Sequence, residues 1–102
     1  MNKFIVVSGG SKGIGKEIIR KFAQNGFETA TCARNPENLA QMKAEIEAES
    51  KQLVHTFPAD LAQKSQTLAF AEFVKSLNKS IDVLVNNTGV FLPGKLMEEE
   101  EG

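Results

Sequence analysis

The apolar residues of this chain fall into two patterns that take turns, short uninterrupted runs and stripes spaced three or four residues apart. The first run, Phe4 to Val7, does not alternate, as expected of a strand buried on both faces of a parallel sheet. It ends at Gly9-Gly10. From Ile14 the spacing becomes helical: Ile14, Ile18 and Phe22 make a stripe joined by Ile19 and Ala23, while Lys16, Glu17, Arg20 and Lys21 take the outer face. Asn25-Gly26 supplies a helix stop. Phe27 to Ala33, rich in threonine and small apolar residues, predicts a second strand. Asn35 and Pro36 have the chemistry of an N-cap and a first-turn proline, opening a helix with Leu39, Met42 and Ile46 on its core side that ends near Ser50. Leu53 to Phe57 predicts a third strand closed by Pro58, and Asp60-Leu61 a turn. Leu68, Ala71, Val74 and Leu77 then recur at helical spacing before a fourth strand over Ile81 to Val85. Four strands alternating with three helices over short turns predict a single-domain parallel α/β sheet. Beyond Gly89 the periodicity is lost at Pro93-Gly94, and the chain closes in Glu98, Glu99, Glu100, Glu101 and Gly102.

Composition narrows the function classes. The 102 residues carry 12 Lys and Arg against 13 Asp and Glu, a net charge of -1, so no basic surplus exists for neutralising phosphodiester backbones. Neither nucleic acid nor a membrane surface is expected as a partner. The run Phe4 to Val7 is too short for a signal-peptide core or a membrane span, so no export is expected. A single cysteine, Cys32, excludes an intrachain disulfide and a thiolate metal cage, which fits a reducing compartment and a cytoplasmic location. Cys32 reads as a small buried hydrophobe and His55, within a strand and without ligand spacing to a partner, as structural. The chain contains no tyrosine and no tryptophan, so it offers no phenol to any mechanism.

Ser8-Gly9-Gly10-Ser11-Lys12-Gly13-Ile14-Gly15 lies where the first strand turns into the first helix, the context that lifts a glycine pattern above chance. Gly9 permits a tight turn, Gly13 lets a pyrophosphate approach the backbone with no Cβ in the way, and Gly15 lets the helix pack closely on the strand. Main-chain N–H groups around Ser11, Lys12 and Ile14, at the positive end of the helix dipole, then hold the anion. The spacing Gly-x-x-x-Gly-x-Gly differs from the commoner Gly-x-Gly-x-x-Gly. A glycine-rich turn without a ligand is the plainer alternative.

With this loop the chain resembles the short-chain dehydrogenase/reductase family, whose shorter-subunit branch carries Thr-Gly-x-x-x-Gly-x-Gly here, with Ser8 standing in for the threonine. Two further signatures follow in order, Asp60-Leu61 after the third strand and Asn86-Asn87-Thr88-Gly89 after the fourth, where the family norm is Asn-Asn-Ala-Gly. The resemblance spans essentially the whole chain. It implies a Rossmann-type open parallel sheet of spatial order 3-2-1-4 with helices on both faces. It also implies that Asp60 accepts a hydrogen bond from an adenine amino group, that Leu61 lines the same pocket, and that Asn86, Asn87 and Gly89 stand near the adenosine ribose at the topological switch point. Turn aspartates and turn asparagines are the ordinary alternatives.

Charge then bears on the cofactor. A ribose 2′-hydroxyl is best accepted by a carboxylate at the end of the second strand, about 20 residues past the glycines. Arg34 stands there instead. The first acid beyond it, Glu37, falls in the first turn of the next helix, where it complements the dipole. By the resemblance Lys12 is a second cation around a 2′-phosphate, and the pair predicts NADP(H) in preference to NAD(H).

In the family, hydride passes between the nicotinamide and a carbonyl or alcohol carbon while a tyrosine, with a lysine four residues on and a serine, exchanges the proton. No such phenol is present. Residues 1–102 are therefore expected to be the N-terminal dinucleotide-binding half of a truncated short-chain dehydrogenase/reductase domain, inactive alone and holding no catalytic residue and no metal ligand. The full-length protein would act on a small carbonyl or alcohol substrate and form a homo-oligomer. The alternative class is a non-catalytic nucleotide-binding or interaction module, with the glutamate run as a docking or solvated tail.

Overall fold

In the computed structural model, which describes residues 3–11 and 13–86, the elements run β1 (Lys3–Ser8), α1 (Gly13–Gln24), β2 (Phe27–Ala33), α2 (Pro36–Ser50), β3 (Val54–Pro58), α3 (Lys64–Ser76) and β4 (Val83–Asn86). Lys12, Asn87, Thr88, Gly89 and the closing glutamates lie outside the described residues. The strands form one parallel sheet of order β3-β2-β1-β4. Helices cover both faces. One face of β1, Ile5 and Val7, packs with Ile19 and Ala23 of α1 and Leu39, Met42 and Ile46 of α2. The other, Phe4 and Val6, packs with Phe70, Ala71 and Val74 of α3. Because every strand is parallel, the β1–α1, β2–α2 and β3–α3 connections all emerge at the same rim, and that rim holds the site.

Local chemistry sets the helix ends. Asn35 Oδ1 accepts from the N–H groups of Glu37 at 2.9 Å and Asn38 at 3.1 Å, with Pro36 in the first turn, so the cap expected of this pair is formed. At the far end of α1, Gly26 adopts a φ of 89° and donates its N–H to Ala23 O at 3.0 Å. The outer faces of α1 and α2 are tied by Lys16–Glu45 at 2.7 Å and Arg20–Glu49 at 3.0 Å.

Two helical stripes are rotated from their expected phase. In α1 the buried line is Gly15, Ile19 and Ala23, and Ile14 is 74% exposed. A helix approaches a sheet most closely along its smallest residue, so Gly15 sets the phase rather than the larger Ile14, Ile18 and Phe22. In α3 the buried line is Thr67, Phe70, Ala71 and Val74, leaving Leu68 exposed and Leu77 half-buried. Thr67 can lie inward because its hydroxyl is bonded to Leu61 O at 3.0 Å. The third strand begins at Val54, with Leu53 exposed before it, and extends through Pro58, which an edge strand tolerates. The fourth begins at Val83: Asp82 pairs with Phe4 through its N–H and its carboxylate, and Ile81 is buried just ahead of the ladder. Among the described residues no helix is long and apolar enough to cross a membrane.

Among the described residues, one buried hydroxyl has no partner. Thr31 Oγ1 donates to Val7 O, but Thr29 Oγ1, on the same strand between Ile5 and Val54, makes no hydrogen bond. Thr29→Val keeps the shape and removes the desolvated hydroxyl, so it is expected to stabilise the chain by about 1 kcal/mol. Thermal unfolding checks this, and a lowered midpoint would contradict it.

Candidate functional site

A cleft of about 930 Å³ opens where β1, β2 and β3 end, and Gly9, Ser11, Arg34, Asn35, Asp60 and Leu61 line it. Its first wall is the loop after β1. Gly9 turns with a φ of 71°, and the N–H groups of Gly9 and Gly10 both donate to Cys32 O, at 2.9 Å and 3.3 Å, folding the loop across the end of β2. Gly10 is buried, and a Cβ there would sit inside the van der Waals radii of Ile19 Cδ1 and Thr31 Oγ1. The close approach of loop, helix and sheet therefore passes through Gly10 as well as through buried Gly15. Sequence reasoning missed Gly10. The signal was the doubled glycine, since one suffices for the turn.

Gly13 opens α1 with a φ of 59°, and nothing lies within 4 Å of where its Cβ would be. The first turn of α1 has no acidic residue, so the positive end of its dipole is uncompensated there. Gly13 and Ile14 border a neighbouring depression of about 610 Å³ along α1. Asn86, at the end of β4, accepts a hydrogen bond from Ser8 Oγ at 2.9 Å and so joins β1 to β4 beside the loop.

The second wall is the start of α2, with exposed Arg34 just after β2, and the third is the β3–α3 turn. Ala59 N–H donates to Ala33 O at 2.9 Å, clamping that turn to the end of β2. Asp60 Oδ1 accepts from Ala62 N–H at 3.0 Å, so this aspartate has the turn role of the ordinary alternative while also lining the cleft. Cys32 is fully buried, and burial pushes its thiol up to about 11 against an opposing hydrogen bond from Gly9, which keeps it protonated at neutral pH. The structure thus brings Gly9, Ser11, Arg34, Asp60 and Leu61 into one cleft, while Gly13 and Ile14 border a separate depression along α1, Gly15 is buried in that helix, Asn86 is tied to Ser8 at the end of β1, and Lys12, Asn87 and Gly89 lie outside the described residues.

A second polar group stands near the opposite, amino-terminal end of β2, and sequence reasoning missed it. Glu28 is 3% exposed, with its Oε2 2.5 Å from His55 Nε2 on β3 and its Oε1 3.3 Å from Lys79 Nζ before β4. Burial pushes its carboxyl up, but the hydrogen bonds from His55 and Lys79 together outweigh that and hold it below the ordinary carboxylate range. Among the described residues no group of three or more His, Cys, Asp or Glu side chains is placed to hold a metal ion.

This loop, sheet order and cleft belong to a recognisable class. Residues 3–101 match the family model for short chain dehydrogenases, and the chain belongs to that family of oxidoreductases. The oxidoreductase DltE of Bacillus subtilis (strain 168) is 33% identical over 89 residues, covering 87% of this chain and 33% of that protein. Among solved structures, L-sorbose reductase from Gluconobacter frateurii, complexed with NADPH and L-sorbose, superposes with a TM-score of 0.81 at 31% identity over 86% of this chain and 34% of that one. An alcohol dehydrogenase from Thermococcus sibiricus, complexed with 5-hydroxy-NADP, gives a TM-score of 0.78 at 27% identity over 82% and 36% of the two chains. The chain spans about a third of the length of these relatives.

Proposed function

We propose that the cleft binds NADP(H), and that residues 1–102 are the dinucleotide-binding part of an oxidoreductase acting between NADP(H) and a small carbonyl or alcohol substrate. The observation that carries the reading is Arg34, an exposed cation in the cleft wall directly after β2, where a carboxylate would instead accept a ribose 2′-hydroxyl. Glu37 lies in the first turn of α2 and complements that helix's dipole.

The donor set fits such a cofactor. Gly13 leaves open space in front of the backbone at an uncompensated helix N-terminus, a cradle that any Cβ would enter. Gly9, Ser11, Lys12 and Ile14 would complete the phosphate loop, with Gly15 holding α1 close behind it. Asp60 and Leu61 would take the adenine end, and Asn86, Asn87 and Gly89 the ribose side nearest β4. NADP(H), when bound, supplies or accepts a hydride at its nicotinamide ring. The residues of this chain bind and orient it; they include no tyrosine, so we assign them no phenol-mediated proton transfer and expect no turnover from them alone. The NADPH and 5-hydroxy-NADP held by two structural neighbours support the choice of cofactor. A cytoplasmic homo-oligomer is the setting that goes with this reading.

Calorimetry with NADPH and NADH on the chain and on Arg34→Ala tests it. A hydrogen bond to a charged group contributes about 1.5–3 kcal/mol, so Arg34→Ala is expected to weaken NADPH binding by about one to two decades and to leave NADH unchanged. Equal losses for both, or none for NADPH, would overturn the assignment.

A further inference from the structure

Asp60 and Leu61 reach the cleft on a turn three of whose main-chain groups are bonded by α3 and its N-cap residue. Asp60 N–H donates to Gln66 Oε1, and Asp60 C=O accepts from Gln63 N–H at 3.0 Å. Leu61 C=O accepts from Thr67 Oγ1 at 3.0 Å, and the same hydroxyl lies 3.3 Å from Gln63 O. We infer that Gln66 and Thr67 are positioning residues for the nucleotide site, clasping the Asp60–Leu61 turn in place without themselves lining the cleft. The inference rests on the nucleotide-binding reading above.

Two features single out these side chains. The N-cap of α3, Gln63, has an extended backbone but no side-chain cap, so the usual device for fixing a helix start is not used. A glutamine at the third helical position ordinarily turns back to the N-cap N–H, whereas Gln66 reaches past the cap to Asp60. Thr67 lies on the buried line of α3 with Phe70, Ala71 and Val74, where a hydroxyl is costly unless bonded. Its bond to Leu61 satisfies it.

The clasp matters to the cleft because its ends are coupled. Ala59, the residue before Asp60, is bonded to Ala33, the residue before Arg34, so a shift of the turn changes the spacing between the proposed adenine and 2′-phosphate walls. A turn held before the ligand arrives spares the ordering that binding would otherwise require. Gln66 and Thr67 therefore act on affinity through Asp60 and Leu61.

The test uses the full chain, with Gln66→Met and Thr67→Val singly and together, and Thr67→Ser as the conservative control. In the ligand-free chain, amide hydrogen exchange at Asp60 is expected to accelerate about 10-fold in Gln66→Met, since its acceptor is gone. NADPH and 2′,5′-ADP, a probe of the adenosine end alone, are each expected to bind about 3- to 10-fold more weakly to either single variant and weaker still to the double variant. The thermal midpoint is expected to move little, and Thr67→Ser to bind as the parent does. Unchanged Asp60 exchange, a double variant that binds like the parent, a Thr67→Ser variant as impaired as Thr67→Val, or a loss for NADPH but not for 2′,5′-ADP would each overturn the clasp. A parent chain that binds neither probe would instead overturn the nucleotide reading, and the positioning role with it.

Discussion

Replacing both His55 and Lys79 by alanine is expected to destabilise the chain by about 3–5 kcal/mol at neutral pH, because it leaves a buried carboxylate without its partners. The Glu28 side chain is 4% exposed, while those of His55 and Lys79 are 24% and 37% exposed, so the partners can be removed without emptying the core. In the parent, the carboxyl of Glu28 is held below its ordinary range, so this group contributes stability above the unfolded value, and that contribution is lost as pH falls through the depressed folded value. In the double variant only burial remains, which raises the folded value above the unfolded one. Its contribution is then complete below the unfolded value and lost as pH rises through the folded one, so acidification toward about pH 4.3 should restore part of the deficit. Urea unfolding at neutral pH and near that value measures both slopes, and taking variant minus parent cancels the carboxylates that neither partner reaches, leaving beside Glu28 only the small effect of His55 on Glu47. A difference that does not shrink on acidification would show that Glu28 is not the group responsible. The effect is large against the 5–15 kcal/mol that separates most domains from unfolding.

Much of the architecture was legible because it is written in local windows. The unbroken run at Phe4 to Val7 predicts a strand buried on both sides, and Asn35-Pro36 predicts the cap that forms over Glu37 and Asn38. Helix phase was less legible. Hydrophobicity alone favours Ile14 and Leu68 as inward residues, but the inward line follows Gly15, which allows close approach, and Thr67, whose hydroxyl finds an acceptor in another loop. The site divides in the same way. Arg34 could be read from its place after β2, and Asp60-Leu61 from its resemblance to a family signature. Gly10 left only the doubled glycine as a signal, and Gln66, Thr67 and, at the far end of the sheet, Glu28 left none, since each has its meaning in a contact between elements. Glu28 meets His55 and Lys79, residues 27 and 51 positions away, across the sheet and a later loop. No single window of sequence contains that triangle.

Gly10→Ala is expected to lower stability by about 1–3 kcal/mol, a fall of roughly 5–20 °C in thermal midpoint for a domain of this size. A Cβ at Gly10 would overlap Ile19 Cδ1 and Thr31 Oγ1 and come within 3.1 Å of Thr31 Cβ. Neither neighbour yields easily. Ile19 is fully buried in the layer between α1 and the sheet, and Thr31 Oγ1 is engaged with Val7 O, so turning it away would leave a buried acceptor short of a bond. The remaining response is for α1 to lift off the sheet at its first turn, which moves the helix N-terminus and the loop that forms the first wall of the cleft. Gly13 offers the contrast, because nothing lies within 4 Å of its Cβ position and only its φ of 59° opposes a side chain. Gly13→Val should therefore keep its core packing, at the cost of the strain of a branched residue at positive φ, while occupying the space proposed for the pyrophosphate, and lose NADPH binding. Circular dichroism melts combined with a fluorescence titration of NADPH separate the two. A Gly10→Ala chain that melts with the parent would show that α1 is not held against the sheet through this glycine, and a Gly13→Val chain with parental NADPH affinity would remove the phosphate from the loop.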